Sequence, residues 1–213
     1  MNPNPFYYDK FFSCTGIFTE FIKSYKYPWE AIGHIDDFIL NFKESKHSEG
    51  FYEIEKNVFV GKNVLIDDTA RIIGGAILGD NTTIGHAAFL RGGVLLGENV
   101  NVGHATEVKH SIVFSNSALA HLNYIGDSII GSNNNISGGA TLANWRFDKK
   151  EINVANGDEK IPTHMTKFGS ILGDDCFVGI NAVINPGTVM SKGSLVFPLV
   201  SVKGTHLSRE TFK

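Results

Sequence analysis

The chain has 213 residues, of which 42% are hydrophobic and 19% charged, and its formal net charge is -3 at pH 7. This length suits one ordinary domain with a small addition, and the weak charge argues against nucleic acid or a membrane surface as a partner bound by bulk charge. Cys14 and Cys176 fit neither a disulfide framework nor a zinc spacing. With no apolar run of about 20 residues and no signal-peptide pattern, we expect a cytoplasmic protein without a membrane span.

Residues 1–50 hold many of the aromatic side chains. An apolar stripe that begins after Pro28 and includes Trp29, Ile32 and Ile35 predicts a helix over 28–44, and a further helix is expected over 15–25. We interpret residues 1–50 as a helical N-terminal cap that covers the open first coil of the repeat domain that follows. An interaction or regulatory role is the alternative.

A large aliphatic residue recurs at every sixth position in the next stretch. The ten successive positions are Ile54, Val60, Ile66, Ile72, Leu78, Ile84, Leu90, Leu96, Val102 and Val108, with Phe114 and Ala120 as weaker continuations. A helix requires a period near 3.6 and a strand a period of 2, whereas a period of six is typical of a hexapeptide solenoid, in which three short parallel strands make up each coil. An ordinary β-sandwich would not space its strands so evenly. The pattern therefore predicts an all-β parallel β-helix.

The repeat domain is assigned to residues 51–203, and 204–213 form a C-terminal tail. We expect the period to slip around 120–130 and then to resume at Ile130, Ile136 and Leu142. Residues 146–169 interrupt it, and we interpret them as a loop insertion with a hairpin that turns at Asn156-Gly157, long enough to reach over a neighbouring site or chain. The period returns at Leu172, Val178, Ile184, Met190, Val196 and Val202.

Residues separated by one full coil, which is three repeats of six, are expected to lie above one another at the strand spacing. Arg91 and Lys109 have this relation, so they form either an anion-binding corner or a pair of cations balanced by Asp127.

A second column contains Asp68, His86 and His104, and such a column could bind a metal. The metal sites of gamma-class carbonic anhydrases are similar, but the residue five positions after His86 is Arg91 rather than a histidine, and we predict no metal. His121 follows a core position where the register slips, as expected for either a re-aimed side chain or a surface histidine.

Several segments resemble one known family. They are Glu107–Lys109, His121–Gly131, Ala143–Asp148, Phe168–Asp175 and Gly179–Gly187. These segments are similar to the acetyltransferase domain of the bifunctional UDP-N-acetylglucosamine pyrophosphorylase/glucosamine-1-phosphate N-acetyltransferases, particularly their archaeal branch, over residues 54–203. The resemblance implies a left-handed β-helix, a homotrimer, acetyl-CoA bound between neighbouring prisms, and a place in UDP-N-acetylglucosamine biosynthesis.

The resemblance also implies catalytic and phosphate-binding residues. His121 corresponds to the general base and Glu107 to the residue that orients it, while Arg91 and Lys109 correspond to the ligands of the sugar phosphate. An imidazole suits this role at neutral pH because a sugar ammonium must lose a proton before it attacks a thioester. Lys109 and His121 are separated by two repeats of six, which places them at different corners of one regular prism. Either the register slip or a neighbouring chain must bring them together, which argues for an oligomer.

Further positions correspond to sugar and coenzyme contacts. Tyr124, Asn135 and, more loosely, Lys150 match sugar-binding positions, and Asn144 matches a position near acetyl-CoA. Ile180 stands where bacterial members place a serine near the coenzyme.

The sequence thus predicts an acetyl-CoA-dependent N-acetyltransferase acting on an amino-sugar phosphate such as glucosamine-1-phosphate. Residues 1–50 contain no counterpart of the family's nucleotidyltransferase domain, so we expect no nucleotidyl transfer from this chain. The alternatives are a non-catalytic trimer that binds a sugar or nucleotide, and a metal-dependent enzyme similar to gamma-class carbonic anhydrase. O-acetyl transfer is open because the same base could activate a hydroxyl group.

Overall fold

The computed structural model describes residues 5–213, and Met1 to Asn4 of the predicted cap lie outside that range. From Val58 onward the chain winds into coils of three short strands, each strand pairing in parallel with the strand of the next coil. The predicted parallel β-solenoid is confirmed. Its left-handed winding stays a prediction.

The strands form three faces of a prism. The first face contains Val58–Val60, Ala76–Leu78, the second halves of Phe89–Leu96 and Glu107–Val113, Ile129–Ile130, Ser170–Leu172, Thr188–Met190 and Thr205–His206. The second face contains Leu65–Ile66, Thr83–Ile84, Asn101–Val102, Ala118–Leu119, Asn135–Ile136, Phe177–Val178, Leu195–Val196 and Thr211–Phe212. The third face contains Arg71–Ile73, the first halves of the two long strands, Tyr124–Gly126, Thr141–Leu142, Val183–Ile184 and Ser201–Val202.

The sixth-position aliphatics fill the interior of the prism. Buried members such as Leu78, Leu90 and Val102 belong to one core that runs through the coils, because these residues face inward from successive strands and stack on one another. Three predicted core positions are wrong. Ile54 is 51% exposed on Tyr52–Glu55, an antiparallel strand that pairs with Val58–Val60. The other two are Phe114 and Ala120, whose places in the core are taken by Val113 and Leu119.

The six-residue spacing shortens to five at His110, before the predicted region, and shortens again between Ile125 and Ile130, inside the predicted region. Arg91 pairs with Lys109, but Val94 pairs with Ser111, so the separation between paired residues becomes shorter by one. Two glycines therefore lie opposite the single residue His110, and the following coil keeps the shorter spacing. The first deletion moves the core positions Val113, Leu119 and Ile125 by one residue, and the second moves those from Ile130 onward by two in total.

The N-terminal segment is mostly helical but irregular. It contains α1 (Tyr8–Phe11), α2 (Ile17–Lys23) and α3 (Ile35–Leu40), and three 3-10 segments, Pro28–His34, Phe42–Glu44 and Lys46–Ser48. The single helix predicted over 28–44 is wrong, because 3-10 turns flank α3 on both sides.

The location of this segment also differs from the prediction. Its aromatic and aliphatic side chains pack sideways on the outer surface of the first face, in one cluster that extends from Phe59 to Val189. Within the described residues, this segment lies along the side of the prism. The backbone of Ser13 even donates to Asp174, whose own N–H donates to the carbonyl of Phe11.

The insertion after Leu142 contains the predicted hairpin, formed by Asn153–Asn156 and Glu159–Pro162, with Gly157-Asp158 as its two-residue turn. The turn is one residue later than predicted. Ile152 and Val154 are buried against the first face, so the insertion packs on its own prism at these residues. Its reach over a neighbouring chain stays a prediction. Among residues 5–213, no helix has the length and apolar character needed to cross a membrane.

Candidate functional site on the third face

The third face carries polar side chains on its outer surface. Along each of its strands the residues before and after the buried aliphatic point outward, which places Arg91 above Lys109 and Glu107 above Tyr124 in register. In the next coil the column of Arg91 and Lys109 continues with Gly126. That glycine leaves room for the ring of Tyr124, which lies where a Cβ would be.

The two predicted cations are each paired with a carboxylate. Arg91 Nε donates to Oε1 of Glu107 at 2.7 Å, and Arg91 Nη2 lies 2.7 Å from the same oxygen. Lys109 Nζ lies 2.8 Å from both oxygens of Asp127. The pairing with Asp127, one of the two interpretations of this column, is therefore present. Each cation keeps unused N–H groups, since a guanidinium has five donors and an ammonium three.

Asp127 is the buried centre of this corner. Its carboxylate also receives hydrogen bonds from His110 Nδ1 at 3.2 Å and from the side-chain amide of Asn144. Burial alone would raise the pKa of Asp127, but the bonds from His110, Lys109 and Asn144 outweigh it and hold the pKa below its ordinary value. The neighbouring Tyr124 hydroxyl has a raised pKa, chiefly because of burial and then because of the charges of Asp127 and Glu107.

His121 lies at the other end of the third face, at the corner where the chain enters it. Backbone bonds from Leu122 to His104 and from Gly139 to His121 stack these corners in consecutive coils. The imidazole of His121 lies over Gly138, at the position that a Cβ there would occupy. Within residues 5–213 the imidazole has no hydrogen-bond partner, and Glu107 is bonded to Arg91. The orientation of His121 by Glu107 stays a prediction.

The histidine column continues above His121. The rings of His86 and His104 stack at 5.3 Å, and His86 Nδ1 lies 2.7 Å from the Thr69 hydroxyl and 3.6 Å from Asp67. The carboxylate beside His86 is therefore Asp67, not the predicted Asp68. No group of three or more His, Cys, Asp or Glu side chains in the described part of the chain is arranged to hold a metal ion.

The remaining predicted residues are spread more widely. Asn144 joins the corner of Asp127, whereas Asn135 begins a strand of the second face and bonds to Ser137. Lys150 is exposed in the insertion, and Ile180 is exposed at the corner of His121, two coils further on.

Sequence reasoning missed two members of this site. His110 bridges Asp127 and Asp36, a residue of α3. The two adjacent glycines opposite His110 are the only sequence signal of this corner.

Comparisons with known proteins agree with the fold. A crystal structure from Bacillus cereus, provisionally named an acetyltransferase, superposes with a TM-score of 0.53 at 16% identity, over 70% of this chain and 80% of that one. A bifunctional sugar-1-phosphate nucleotidylyltransferase/acetyltransferase of Sulfurisphaera tokodaii is 36% identical over 92 residues, which are 43% of this chain and 23% of that protein. The bifunctional protein GlmU of Methanococcus aeolicus is 41% identical over 91 residues, 43% of this chain and 22% of that protein. The match thus spans less than a quarter of either relative.

The repeat, the coil geometry and these relatives define a hexapeptide-repeat protein of the acetyltransferase-domain type, which confirms the resemblance noted from the sequence. Residues 72–203 match the family described as the GMPPB C-terminal domain. The chain belongs to that family.

Proposed function

We propose that the chain is an acetyl-CoA-dependent N-acetyltransferase that acts on an amino-sugar phosphate, with His121 as the general base. The observation that carries this proposal is the arrangement of the third face. The exposed imidazole of His121 lies at one end, and Arg91 and Lys109, each paired with a carboxylate, lie at the other. Glu107 and Tyr124 lie between the two ends. The relative from Sulfurisphaera tokodaii, whose name includes an acetyltransferase, supports the same chemistry.

The reaction needs two proton transfers and one acyl transfer. His121 takes one proton from the sugar ammonium, the freed amine attacks the thioester carbonyl, the N–C bond forms and the C–S bond breaks. The second proton lost by the nitrogen goes to the coenzyme thiolate, which leaves as the thiol. Unused donors of Arg91 and Lys109 bind the phosphate, and the carboxylates of Glu107 and Asp127 hold those donors in place. Tyr124 contacts the sugar.

The site is completed by a second copy of the chain in a homotrimer. His121 and Gly126, which is in register with Lys109, are five residues apart with a corner at Leu122 between them, so at most about 17 Å lies between the two ends of the face. A prism placed against the His121 corner would bring its own cations to that imidazole. Asn135, Lys150 and Ile180 are assigned to the same groove, with Ile180 and Asn144 nearest the coenzyme.

The direct test is acetyl transfer from acetyl-CoA to glucosamine-1-phosphate by the purified protein, compared with glucosamine and with an amine-free sugar phosphate. We expect His121→Ala to lower the rate by about 10²-fold or more. His104→Ala, at the same corner one coil earlier, is the control and leaves the rate unchanged. Binding of glucosamine-1-phosphate without turnover would instead indicate a non-catalytic binding protein, and acetylation of the amine-free sugar would indicate O-acetyl transfer.

Mixing two inactive variants tests the shared site. When His121→Ala and Lys109→Ala chains are unfolded together and refolded as mixed trimers, about a quarter of the sites recover both wild-type residues if those residues come from different chains. Activity near that fraction supports the shared site, whereas no recovery would place both residues in one chain.

A further inference from the structure

Three side chains connect the N-terminal segment to the acceptor end of the candidate site. Asp36 Oδ2 of α3 lies 3.8 Å from His110 Nε2, and His110 Nδ1 lies 3.2 Å from Asp127 Oδ1. Asp127 in turn holds Lys109 Nζ at 2.8 Å. A continuous series of polar contacts therefore runs from a helix outside the prism to a cation of the site.

Asp127 is the fixed point of this series. Its side chain is 5% exposed and accepts from Lys109, His110 and Asn144, so both of its oxygens are occupied. A buried carboxylate held by several donors cannot rotate freely. Because two of the three ammonium donors of Lys109 point to Asp127, the third has a defined direction.

The backbone conformation at this point leaves space for α3. His110 has a φ of +47°, a conformation that residues with a Cβ rarely adopt, and it lies opposite Gly92 and Gly93 where the register slips. A Cβ on Gly93 would meet Asp36 Oδ1 at 2.6 Å and the Ile35 side chain at 2.8 Å. The deletion in the coil and the docking of α3 are thus one structural feature.

We propose that Asp36, His110 and Asp127 are positioning residues that together fix the ammonium group of Lys109, so that the N-terminal segment forms part of the acceptor site. This inference rests on the proposed function, because it assigns Lys109 to acceptor binding. His110 Nδ1 is within hydrogen-bond distance of Asp127, and its Nε2 faces the carboxylate of Asp36 at ion-pair distance. Asp36 supplies the charge and the contact that keep the ring in this orientation.

The first test compares two neighbouring aspartates of α3. Asp36→Asn removes the charge facing His110, while Asp37→Asn makes the same change at an exposed carboxylate that has no hydrogen bond or ion pair within residues 5–213. We expect Asp36→Asn to weaken glucosamine-1-phosphate binding, measured by calorimetry without acetyl-CoA, by about 2- to 5-fold. Its KM for the sugar phosphate rises in proportion, while the KM for acetyl-CoA and the melting temperature stay unchanged. Asp37→Asn behaves as the wild type.

A second variant links the two ends of the series. His110→Asn suits the positive φ and keeps a donor toward Asp127, but its side chain is too short to reach Asp36. We expect it to weaken sugar-phosphate binding at least as much as Asp36→Asn, and the double variant to be no weaker than His110→Asn alone.

Two results would overturn the inference. Wild-type affinity in Asp36→Asn, or strictly additive losses in the double variant, would show that Asp36 does not act through His110, while the proposed acetyl transfer would stand. A wild-type protein that neither binds nor acetylates glucosamine-1-phosphate would overturn the proposed function and this inference with it.

Discussion

The first and third faces of the prism share one interior but have opposite exteriors. Outward residues of the first face, such as Ile77, Leu95 and Ile112, are apolar and fully buried under the N-terminal segment and the hairpin. Those of the third face, such as Arg91 and Glu107, are charged and partly open. The six-residue period specifies only the inward residue, so the outward residues decide whether a face is covered or available to a ligand.

The largest expected effect comes from removing the cover of the first face. Trp29 is fully buried and contacts the rings of Phe6, Tyr27 and Phe168. Trp29→Ala should lower the free energy of unfolding by about 3–5 kcal/mol, as measured by urea denaturation, because it removes a large side chain from a packed interior. The other tryptophan, Trp145, is 46% exposed, and Trp145→Ala is expected to have a much smaller effect. Equal losses for the two would mean that the segment does not pack on the first face.

The second prediction concerns the buried charge of the third face. Asp127→Asn should lower stability at pH 7 by about 2–3 kcal/mol, since it weakens charge-assisted bonds to Lys109 and His110. The native pKa of Asp127 is lowered, so this stabilisation is present above the ordinary carboxyl pKa of 3.8 and is lost as the pH falls through the lower native value. The difference between wild type and variant should therefore be constant above about pH 5 and shrink at more acidic pH.

The same substitution in the exposed Arg146–Asp148 pair is the control. Asp148→Asn alters an ion pair that water surrounds, so it should change stability at pH 7 far less than Asp127→Asn. A stability difference for Asp127→Asn that does not vary with pH would contradict the assigned ionisation.

These two faces also show what the sequence can predict. The period alone predicts the core positions from Val60 to Val108, because a side chain that points inward in a closed coil lies in the apolar interior. The sequence does not reveal the slip at His110, because Phe114 fits the six-residue period although its side chain packs against Tyr8 and Phe12 outside the prism. Large apolar residues next to the core positions, such as Ile77 and Leu95, are the signal that the first face is covered.

The site was predictable only in part, for a related reason. Arg91, Lys109 and Asp127 could be aligned by counting residues along the coil, since neighbouring coils fix their distance. Asp36 and His110 meet only because an irregular helix docks on a shortened coil, and no repeat in the sequence encodes that docking.

The third prediction tests the junction between the two faces. Gly92 and Gly93 both have positive φ values, +57° and +54°, but a Cβ on Gly92 meets no atom within 4 Å whereas one on Gly93 would collide with α3. Gly92→Ala should cost about 1 kcal/mol for its backbone conformation, and Gly93→Ala about 1–2 kcal/mol more because α3 must shift. Urea denaturation measures both changes. If the two variants lost the same stability, α3 would not be seated at this corner.

The smallest effect is expected at the corner between the first and second faces, away from the site. Asn63, Asn81, Asn99, Asn116 and Asn133 occupy this corner in successive coils at positive φ, and the Asn99 amide donates to Asn116 at 3.0 Å. Asn116→Ala should lower the free energy of unfolding by about 1 kcal/mol, since alanine tolerates this conformation less well than asparagine. Asn116→Gly keeps the conformation and loses only an exposed hydrogen bond, so it should cost about half as much in the same denaturation measurement. A larger loss for glycine than for alanine would show that the side-chain ladder, not the backbone conformation, selects asparagine at this corner.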